Sequence, residues 1–193
     1  MNIAVDVDDV LADFISQVIL FHNAKYETKL QKEDFFSTRY YEVWGGTKTE
    51  THEKLDKFYE TDYFKEIIPV PDSLKAVSFL KNLGHDLYLV TGRRDSLIPG
   101  TSKWIEKHFP NIFSGIYNTN TFVADASLRK NKSLVCKELN ISVMIDDDLM
   151  HIHDCVSSCL QVLVFNQPWN QKVLPSKAIR VLDWNDVIEI IKS

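Results

Sequence analysis

Long apolar runs and a cysteine framework are both missing from this sequence. No stretch approaches the roughly 20 consecutive apolar residues that a helix needs to cross a bilayer. The first residues also lack the basic region and apolar core of a signal peptide. The three cysteines (Cys136, Cys155 and Cys159) have no disulfide-framework spacing, which favours free thiols in a reducing compartment. We therefore expect a cytoplasmic protein that has no membrane partner.

An excess of positive charge is absent as well. The 193 residues carry a formal net charge of −5, and the sequence pI is about 5.7. This balance argues against a nucleic-acid polymer or an anionic membrane as the main partner, because either needs a basic surface. A local pocket can still hold a small phosphorylated ligand. The length fits one domain, with or without a sizeable insertion.

What the sequence does contain is a cluster of acids directly after its first apolar run. Residues 3–5 (Ile-Ala-Val) are typical of a buried parallel strand, and Asp6, Asp8 and Asp9 follow at once. Three carboxylates this close repel one another unless a cation or protons neutralise them. Oxygen ligands of this kind favour a hard divalent metal, above all Mg²⁺. The alternative is an acidic turn on the surface, since Asp is a favoured turn residue.

Strand and helix patterns alternate along most of the chain. After the first strand, continuous apolar runs predict further strands, and apolar residues at helical spacing predict helices between them. The predicted later strands are 86–91, 112–117, 141–145 and 160–165, and the predicted helices are 13–30, 73–82, 101–109, 130–139, 149–157 and 184–191. This alternation predicts an α/β fold with a doubly wound parallel sheet and right-handed crossovers.

The region between the first two strands is much longer than the crossover of a simple strand-helix-strand unit, which takes roughly 30 residues in all. Residues 15–68 are polar, rich in aromatic side chains and without a convincing strand pattern. We expect them to form a small helical subdomain, with residues 1–14 and 69–193 as the α/β core. The aromatic side chains either face a substrate or make the core that a small helical unit needs.

Polar and charged residues follow three of the predicted strands. The first ends in Asp6 and Asp8, the second in Thr91-Gly92-Arg93, and the third in the acids 146–148. If these strands lie side by side, their carboxyl ends converge, and ligands bind at that edge of open α/β sheets. A carboxylate cluster, a hydroxyl, backbone N–H groups and nearby cations are the parts needed to bind and attack a phosphoryl group.

These residues match a known family in order and spacing. The stretch 6–14 (Asp-Val-Asp-Asp-Val-Leu-Ala-Asp-Phe), the turn 91–93 (Thr-Gly-Arg), a helical lysine and the stretch 145–147 (Ile-Asp-Asp) resemble the four motifs of haloacid dehalogenase-like (HAD) phosphatases. The resemblance runs along essentially the whole chain. Within that superfamily, the first motif looks most like the 5′(3′)-deoxyribonucleotidase branch.

The resemblance implies a role for each matching position. Asp6 would be the nucleophile that forms an aspartyl-phosphate, and Asp8 the general acid for the leaving alcohol and then the base for water. Asp8 would also reach the metal through its backbone carbonyl. Thr91 and the Gly92 N–H would bind phosphate.

The third and fourth motifs supply the remaining cation and metal ligands. Lys130 and Lys132 both fit the third-motif lysine, and Lys132 is preferred because it begins a predicted helix. In the last motif Asp147 fits the metal-ligand position, with Asp146 beside it, so Asp6, Asp8, Asp147 and Asp146 form the expected Mg²⁺ ligand set. Asp9 receives no chemical role.

In this superfamily an insertion after the first strand resembles a cap that closes over the active site and selects the leaving group. Phe14 and Trp44 are then candidates for stacking a nucleotide base, together with Phe36 and Tyr40. Arg93 either touches the substrate or phosphate, or pairs with a surface acid.

Several alternatives remain open at this point. The favoured function is a Mg²⁺-dependent phosphomonoesterase for a nucleoside monophosphate, with a sugar phosphate or another small phosphometabolite as the alternative substrate. A phosphorylated switch or a catalytically silent binding protein could use the same fold. A homodimer is compatible with the sequence. Residues 166–170 (Asn-Gln-Pro-Trp-Asn) either shape the site or only turn the chain, and a zinc site at His151 and His153 lacks a third ligand.

Overall fold

A parallel β-sheet forms the centre of the molecule. The computed structural model describes residues 1–121, 123 and 125–192. Within them the strands are β1 (Asn2–Val5), β2 (Asp86–Thr91), β3 (Phe113–Asn118), β4 (Ile141–Asp146), β5 (Gln161–Phe165) and β6 (Ala178–Val181). Their order across the sheet is β3-β2-β1-β4-β5-β6, and every neighbouring pair is parallel. The prediction of a doubly wound parallel α/β sheet is confirmed.

Helices fill the connections between these strands. The α-helices in the described residues are α1 (Phe14–Tyr26), α2 (Tyr41–Trp44), α3 (Lys48–Tyr59), α4 (Asp62–Lys65), α5 (Ser73–Asn82), α6 (Ile98–His108), α7 (Lys132–Glu138), α8 (Leu149–Cys155) and α9 (Trp184–Lys192). Short 3₁₀ helices lie at Lys32–Asp34, Asp95–Leu97, Ala126–Leu128 and Pro168–Asn170. None of the helices in the described part of the chain is long and apolar enough to span a membrane.

Both faces of the sheet are buried, which explains why the strands read as continuous apolar runs. Ile3 and Val5 belong to a core that includes side chains of α5, α6 and α9. Ala4 points to the opposite face, where the core includes side chains of α7 and α8. The three cysteines are buried free thiols on this second face, as the sequence predicts.

Aromatic side chains pack together in the segment between β1 and α5, which contains the expected helical insertion 15–68. The ring centroid of Phe58 lies 5.4 Å from Phe14, 5.5 Å from Phe21 and 5.6 Å from Phe64. These rings belong to the same buried cluster as the apolar residues of β1. Much of the aromatic density noted in the sequence therefore packs the insertion onto the sheet.

Some predicted boundaries are wrong. The first helix was expected to continue to about residue 30, but it ends at Tyr26 because Glu27 adopts a left-handed conformation with φ of 54°. The helix expected at 101–109 begins earlier, at Ile98, with Pro99 in its first turn, a position that proline favours. Strand β6 was missed: it is a four-residue edge strand, and its Ile179 is exposed.

Candidate active site

The candidate site lies at the carboxyl ends of three adjacent strands. β1 is flanked by β2 and β4, with Val5 in register with Leu89 on one side and Ile145 on the other. The backbone N–H of Asp6 donates to the Ile145 carbonyl at 2.9 Å and joins the end of β1 to β4. The residues that follow the three strands therefore meet at the middle of this edge.

Three acids form the centre of the site, and we name them the acidic triad: Asp6, Asp146 and Asp147. Each offers a carboxylate oxygen that lies within 4.8 Å of one from each of the other two, and all three residues are buried. Burial raises the pKa of Asp6 to about 7, against the opposing charge of Lys132. Burial and then the charge of Asp146 raise the pKa of Asp147 well above its ordinary value. This all-oxygen, negatively charged donor set fits a hard divalent cation.

Lys132 is the cation inside the triad. Its Nζ lies 2.9 Å from Asp6 Oδ1 and 2.8 Å from Asp146 Oδ2, and the side chain is fully buried. The residue begins α7, where the Asn131 side chain caps the helix by accepting a hydrogen bond from the Ser133 N–H at 2.7 Å. Although burial alone would lower it, the charges of Asp146 and Asp6 hold the pKa of Lys132 above its ordinary value. Lys130, the alternative candidate, is exposed.

Asp8 lies beside the triad and is held by Arg93. The guanidinium donates from Nε to Asp8 Oδ2 at 3.0 Å and from Nη2 to Asp8 Oδ1 at 2.6 Å. Its third nitrogen, Nη1, donates to Thr101 Oγ1 at 2.9 Å, and the group lies over the ring of Phe64 at 5.2 Å. The structure thus brings Arg93 to a residue of the site and not to an unrelated surface acid. This bidentate contact fixes the orientation of the Asp8 carboxylate.

Thr91 and Gly92 lie at the end of β2 in a turn that several hydrogen bonds hold. The Thr91 carbonyl accepts from the Thr119 N–H at 2.9 Å, and the Gly92 carbonyl accepts from the Thr121 N–H at 3.1 Å. Thr91 is fully buried, and its Oγ1 accepts a hydrogen bond from the Arg93 N–H at 3.2 Å. The hydroxyl proton of Thr91 is therefore free to point away from Arg93.

The aromatic candidates of the insertion occupy different positions. Phe14 is buried in an edge-to-face contact with Phe58, and Trp44 is stacked on His22 with ring centroids 4.6 Å apart. Phe36 is 63% exposed. Burial and the negative charge of Asp9 raise the pKa of the Tyr40 hydroxyl well above its ordinary value, with a smaller effect from Asp8. The Tyr40 ring itself packs edge-to-face on Phe35 and Trp44, with centroids 5.5 Å and 5.0 Å away.

Asp9, which received no chemical role, has a structural contact here. Asp9 adopts φ of 56°, and its Oδ1 accepts a hydrogen bond from the Ile15 N–H at 2.9 Å, which ties the loop to the start of α1. Burial raises the pKa of Asp9 to about 8. His153 is exposed, and the acidic triad is the one potential metal-binding group found among the described residues, so the histidine pair gains no third ligand.

The sequence reasoning missed the residues that hold Asp147. The Trp169 Nε1–H donates to Asp147 Oδ2 at 2.7 Å, and the Asn170 Nδ2–H donates to the Asp147 carbonyl at 2.8 Å. Both belong to residues 166–170, for which the sequence left open whether they shape the site or only turn the chain. The loop's position after a predicted strand was the available signal, since that places it at the same sheet edge.

Known proteins resemble this chain in sequence and in fold. The whole chain, residues 1–193, matches the family described as 5′ nucleotidase, deoxy (pyrimidine), cytosolic type C protein, or NT5C. The chain belongs to the NT5C family. A 5′(3′)-deoxyribonucleotidase of Bacillus subtilis is 25% identical over 189 residues, which cover 96% of this chain and 95% of that protein.

Solved structures share the fold of this NT5C family member. A haloacid dehalogenase-like hydrolase from Streptococcus pneumoniae matches with a TM-score of 0.71 and 14% identity over 98% of this chain and 97% of that one. A HAD-hydrolase of Bacillus subtilis bound to magnesium matches with a TM-score of 0.66 and 17% identity over 100% and 98% of the two chains. The protein is thus a phosphomonoester hydrolase of the NT5C family, and it shares its fold with haloacid dehalogenase-like hydrolases.

Proposed function

We propose that this protein hydrolyses a nucleoside monophosphate in a Mg²⁺-dependent reaction that proceeds through an aspartyl-phosphate on Asp6. The observation that carries the proposal is the buried acidic triad with Lys132 inside it, next to an oriented Asp8. A buried cluster of three acids with one lysine has more acidic groups than cations, and a bound divalent cation would stabilise the ionised forms of these acids.

Asp6 supplies the nucleophile in this proposal. One carboxylate oxygen attacks phosphorus, the bond from phosphorus to the leaving oxygen breaks, and the carboxylate becomes an acyl-phosphate. Asp8 gives a proton to the leaving alcohol, which requires Asp8 in its protonated form with one of its oxygens released from Arg93. A water molecule then attacks the aspartyl-phosphate while Asp8 takes up a proton from it, which releases inorganic phosphate and restores Asp6.

The groups at the neighbouring strand end and helix start would hold the phosphoryl oxygens. The Thr91 hydroxyl and the Gly92 N–H are the proposed donors, and the buried Lys132 ammonium stabilises the negative charge that develops there. Because the carbonyls of Thr91 and Gly92 are already bonded to the next loop, this turn need not reorganise during the reaction.

The acidic triad would hold the cation. Asp6 and Asp147 are the proposed carboxylate ligands, with the backbone carbonyl of Asp8 as a further ligand and Asp146 beside them, partly neutralised by Lys132. Bound Mg²⁺ supplies charge neutralisation for the phosphate and the carboxylates together.

The helical insertion is the proposed cap, and it would select the substrate. Phe64 packs over the Arg93 guanidinium, and Arg94 Nη1 lies 2.6 Å from Asp56 Oδ1 in α3, so the insertion contacts the loop that carries Arg93. The 25% sequence identity with a 5′(3′)-deoxyribonucleotidase and the family description support a nucleotide as the substrate. Phe14, Trp44 and Tyr40 all pack against other rings. Because the acids near the site help to raise the pKa of the Tyr40 hydroxyl, we take that hydroxyl as the candidate for contact with the substrate. Three free thiols and the family description support action in the cytoplasm.

The test is phosphate release from a panel of phosphomonoesters, each measured with Mg²⁺ and with EDTA. The panel contains ribo- and deoxyribonucleoside 5′- and 3′-monophosphates, sugar phosphates and an aryl phosphate. We expect Mg²⁺-dependent turnover concentrated on nucleoside monophosphates. Turnover concentrated on sugar phosphates would refute the substrate class, and turnover that is unchanged in EDTA would refute the metal dependence.

A further inference from the structure

The loop at residues 166–170 is held rigidly by the end of the sheet. Asn170 Oδ1 accepts hydrogen bonds from the Gln167 N–H at 3.2 Å and from Arg180 Nη1 at 2.5 Å. Arg180, in the edge strand β6, also donates from Nη2 to the Asn170 carbonyl at 2.8 Å. The Gln167 side chain donates from Nε2 to the Asp9 carbonyl at 3.2 Å, which attaches the loop to the segment after β1. The loop is thus fixed on two sides before any ligand binds.

This fixed loop holds Asp147 at two separate points. The Asn170 amide binds the main-chain carbonyl of Asp147, and the Trp169 indole N–H binds its carboxylate oxygen Oδ2 at 2.7 Å. Trp169, Asn170 and Asp147 are all buried. The indole bond to Oδ2 and the amide bond to the main-chain carbonyl together set the orientation of the Asp147 carboxylate within the triad.

We propose that Trp169 is a positioning residue for the divalent cation and acts through Asp147. This inference rests on the proposed function, because it takes the acidic triad as the metal site. A buried carboxylate that is already oriented loses little rotational freedom when a cation binds. The hydrogen bond from the indole keeps the carboxylate in place before the cation binds. Hydrogen-bond partners of metal ligands typically contribute about 10–100-fold to metal affinity or activity.

Lys32, in the helical insertion, contacts Trp169. The Lys32 ammonium lies over the Trp169 ring, 5.8 Å from its centroid. The indole therefore joins the insertion to a ligand of the proposed metal site, and its N–H is directed to Asp147 while its ring faces Lys32.

The substitution Trp169→Phe tests the proposal, because it removes the N–H and keeps an aromatic ring. We expect Mg²⁺ to bind about 10–100-fold more weakly, both by calorimetry and by the Mg²⁺-dependent rise in the unfolding temperature. In kinetics, the Mg²⁺ concentration for half-maximal rate should rise by the same factor. At saturating Mg²⁺, kcat should recover to within a few-fold while the KM for the phosphomonoester stays unchanged.

Trp104→Phe is the matched control. Trp104 also donates an indole N–H, to the Ile67 carbonyl at 2.7 Å, but that acceptor is outside the triad. Its loss can lower the unfolding temperature of the metal-free protein, and it should leave the affinity for Mg²⁺ unchanged. A purely structural role of Trp169 would make the two variants alike.

The outcomes separate this inference from the function on which it rests. If the wild-type protein binds Mg²⁺ and Trp169→Phe binds it equally well, the positioning role is overturned while the metal site stands. If the wild-type protein shows no Mg²⁺ binding, the metal site of the proposed function fails, and the positioning role fails with it. If circular dichroism shows that Trp169→Phe is unfolded, the benzothiophene isostere of the Trp169 side chain, which keeps the ring system and lacks the N–H, decides between the same two results.

Discussion

Replacing Lys132 with methionine removes the one cation seen within the acidic triad. The fully buried ammonium lies 2.9 Å from Asp6 and 2.8 Å from Asp146, so Lys132→Met leaves buried carboxylates without their partner. Removing one partner of a buried ion pair costs about 3–5 kcal/mol. At about 2–4 °C per kcal/mol for a chain of this size, the unfolding temperature should fall by about 6–20 °C. The loss of a charge-stabilising group should also lower kcat by about 10²–10³-fold.

The destabilisation caused by Lys132→Met should also depend on pH, in a direction that can be measured. Burial raises the pKa of Asp6 to about 7, so the folded protein binds more protons than the unfolded chain between that pH and the ordinary value of 3.8. Its contribution to stability is therefore present at low pH and is lost as the pH rises toward 7. Without Lys132 the pKa of Asp6 rises further, so Lys132→Met should be less destabilising at about pH 5 than at about pH 8.

Urea unfolding at both pH values without Mg²⁺, together with steady-state kinetics, measures these effects. Lys130→Met is the control: it removes the same charge two residues away from an exposed side chain and should change the free energy of unfolding by only about 0.5 kcal/mol or less. Equal stability of the two variants would refute the reasoning about the triad. Loss of turnover in Lys130→Met alone would assign the third-motif role to Lys130.

Three further predictions follow from the contacts around the triad. Asp9→Asn keeps the acceptor for the Ile15 N–H and tolerates the positive φ. Because burial raises the pKa of Asp9 to about 8, the variant should become more stable than the wild-type protein by an amount that grows as the pH rises from about 4 to 8. Urea unfolding measures this difference, and a pH-independent difference would contradict the prediction. Arg93→Lys loses the bidentate grip on Asp8 and should lower kcat by about 10²-fold with little change in KM; an unchanged kcat would show that this orientation is not needed. Tyr40→Phe should raise the KM for the preferred substrate without lowering the unfolding temperature, and an unchanged KM would remove Tyr40 from the substrate pocket.

The main features of the fold could be predicted from apolar patterning. Strands buried on both faces, such as β4 and β5, leave continuous apolar runs, and these were found close to their true bounds. The edge strand β6 was not found, because its four residues include Arg180 and the exposed Ile179, so burial leaves a weak signal. The end of α1 at Tyr26 depends on a left-handed residue that is not glycine, which composition does not reveal.

The sequence predicted which strand ends carry the residues of the site, but it did not predict which side chains contact one another there. The motifs mark where the chemistry-bearing residues leave the sheet, and the structure brings Asp6, Asp146, Asp147 and Lys132 together there. The pairing of Arg93 with Asp8 depends on the order of strands across the sheet, which a linear pattern does not contain. The same holds for Trp169, whose partner lies on a different loop.

The two lysines at the start of α7 show what a sequence pattern cannot decide. Lys130 and Lys132 are two residues apart, and the sequence left both as candidates while favouring Lys132. The Asn131 side chain caps α7, so Lys132 becomes its first residue and reaches the triad, whereas Lys130 stays outside. The local hydrogen bond at the helix start decides which lysine is buried.

Chemical trapping of the acyl-phosphate on Asp6 tests the central claim most directly. Enzyme turning over a nucleoside monophosphate with Mg²⁺ is quenched and reduced with borohydride, which converts an aspartyl-phosphate to homoserine, and the peptide spanning residues 1–14 is read by mass spectrometry. We predict homoserine at position 6, in amounts that depend on substrate and Mg²⁺, and none in Asp6→Asn. Homoserine at position 8 in its place, or steady turnover by Asp6→Asn, would contradict the assignment of Asp6 as the nucleophile.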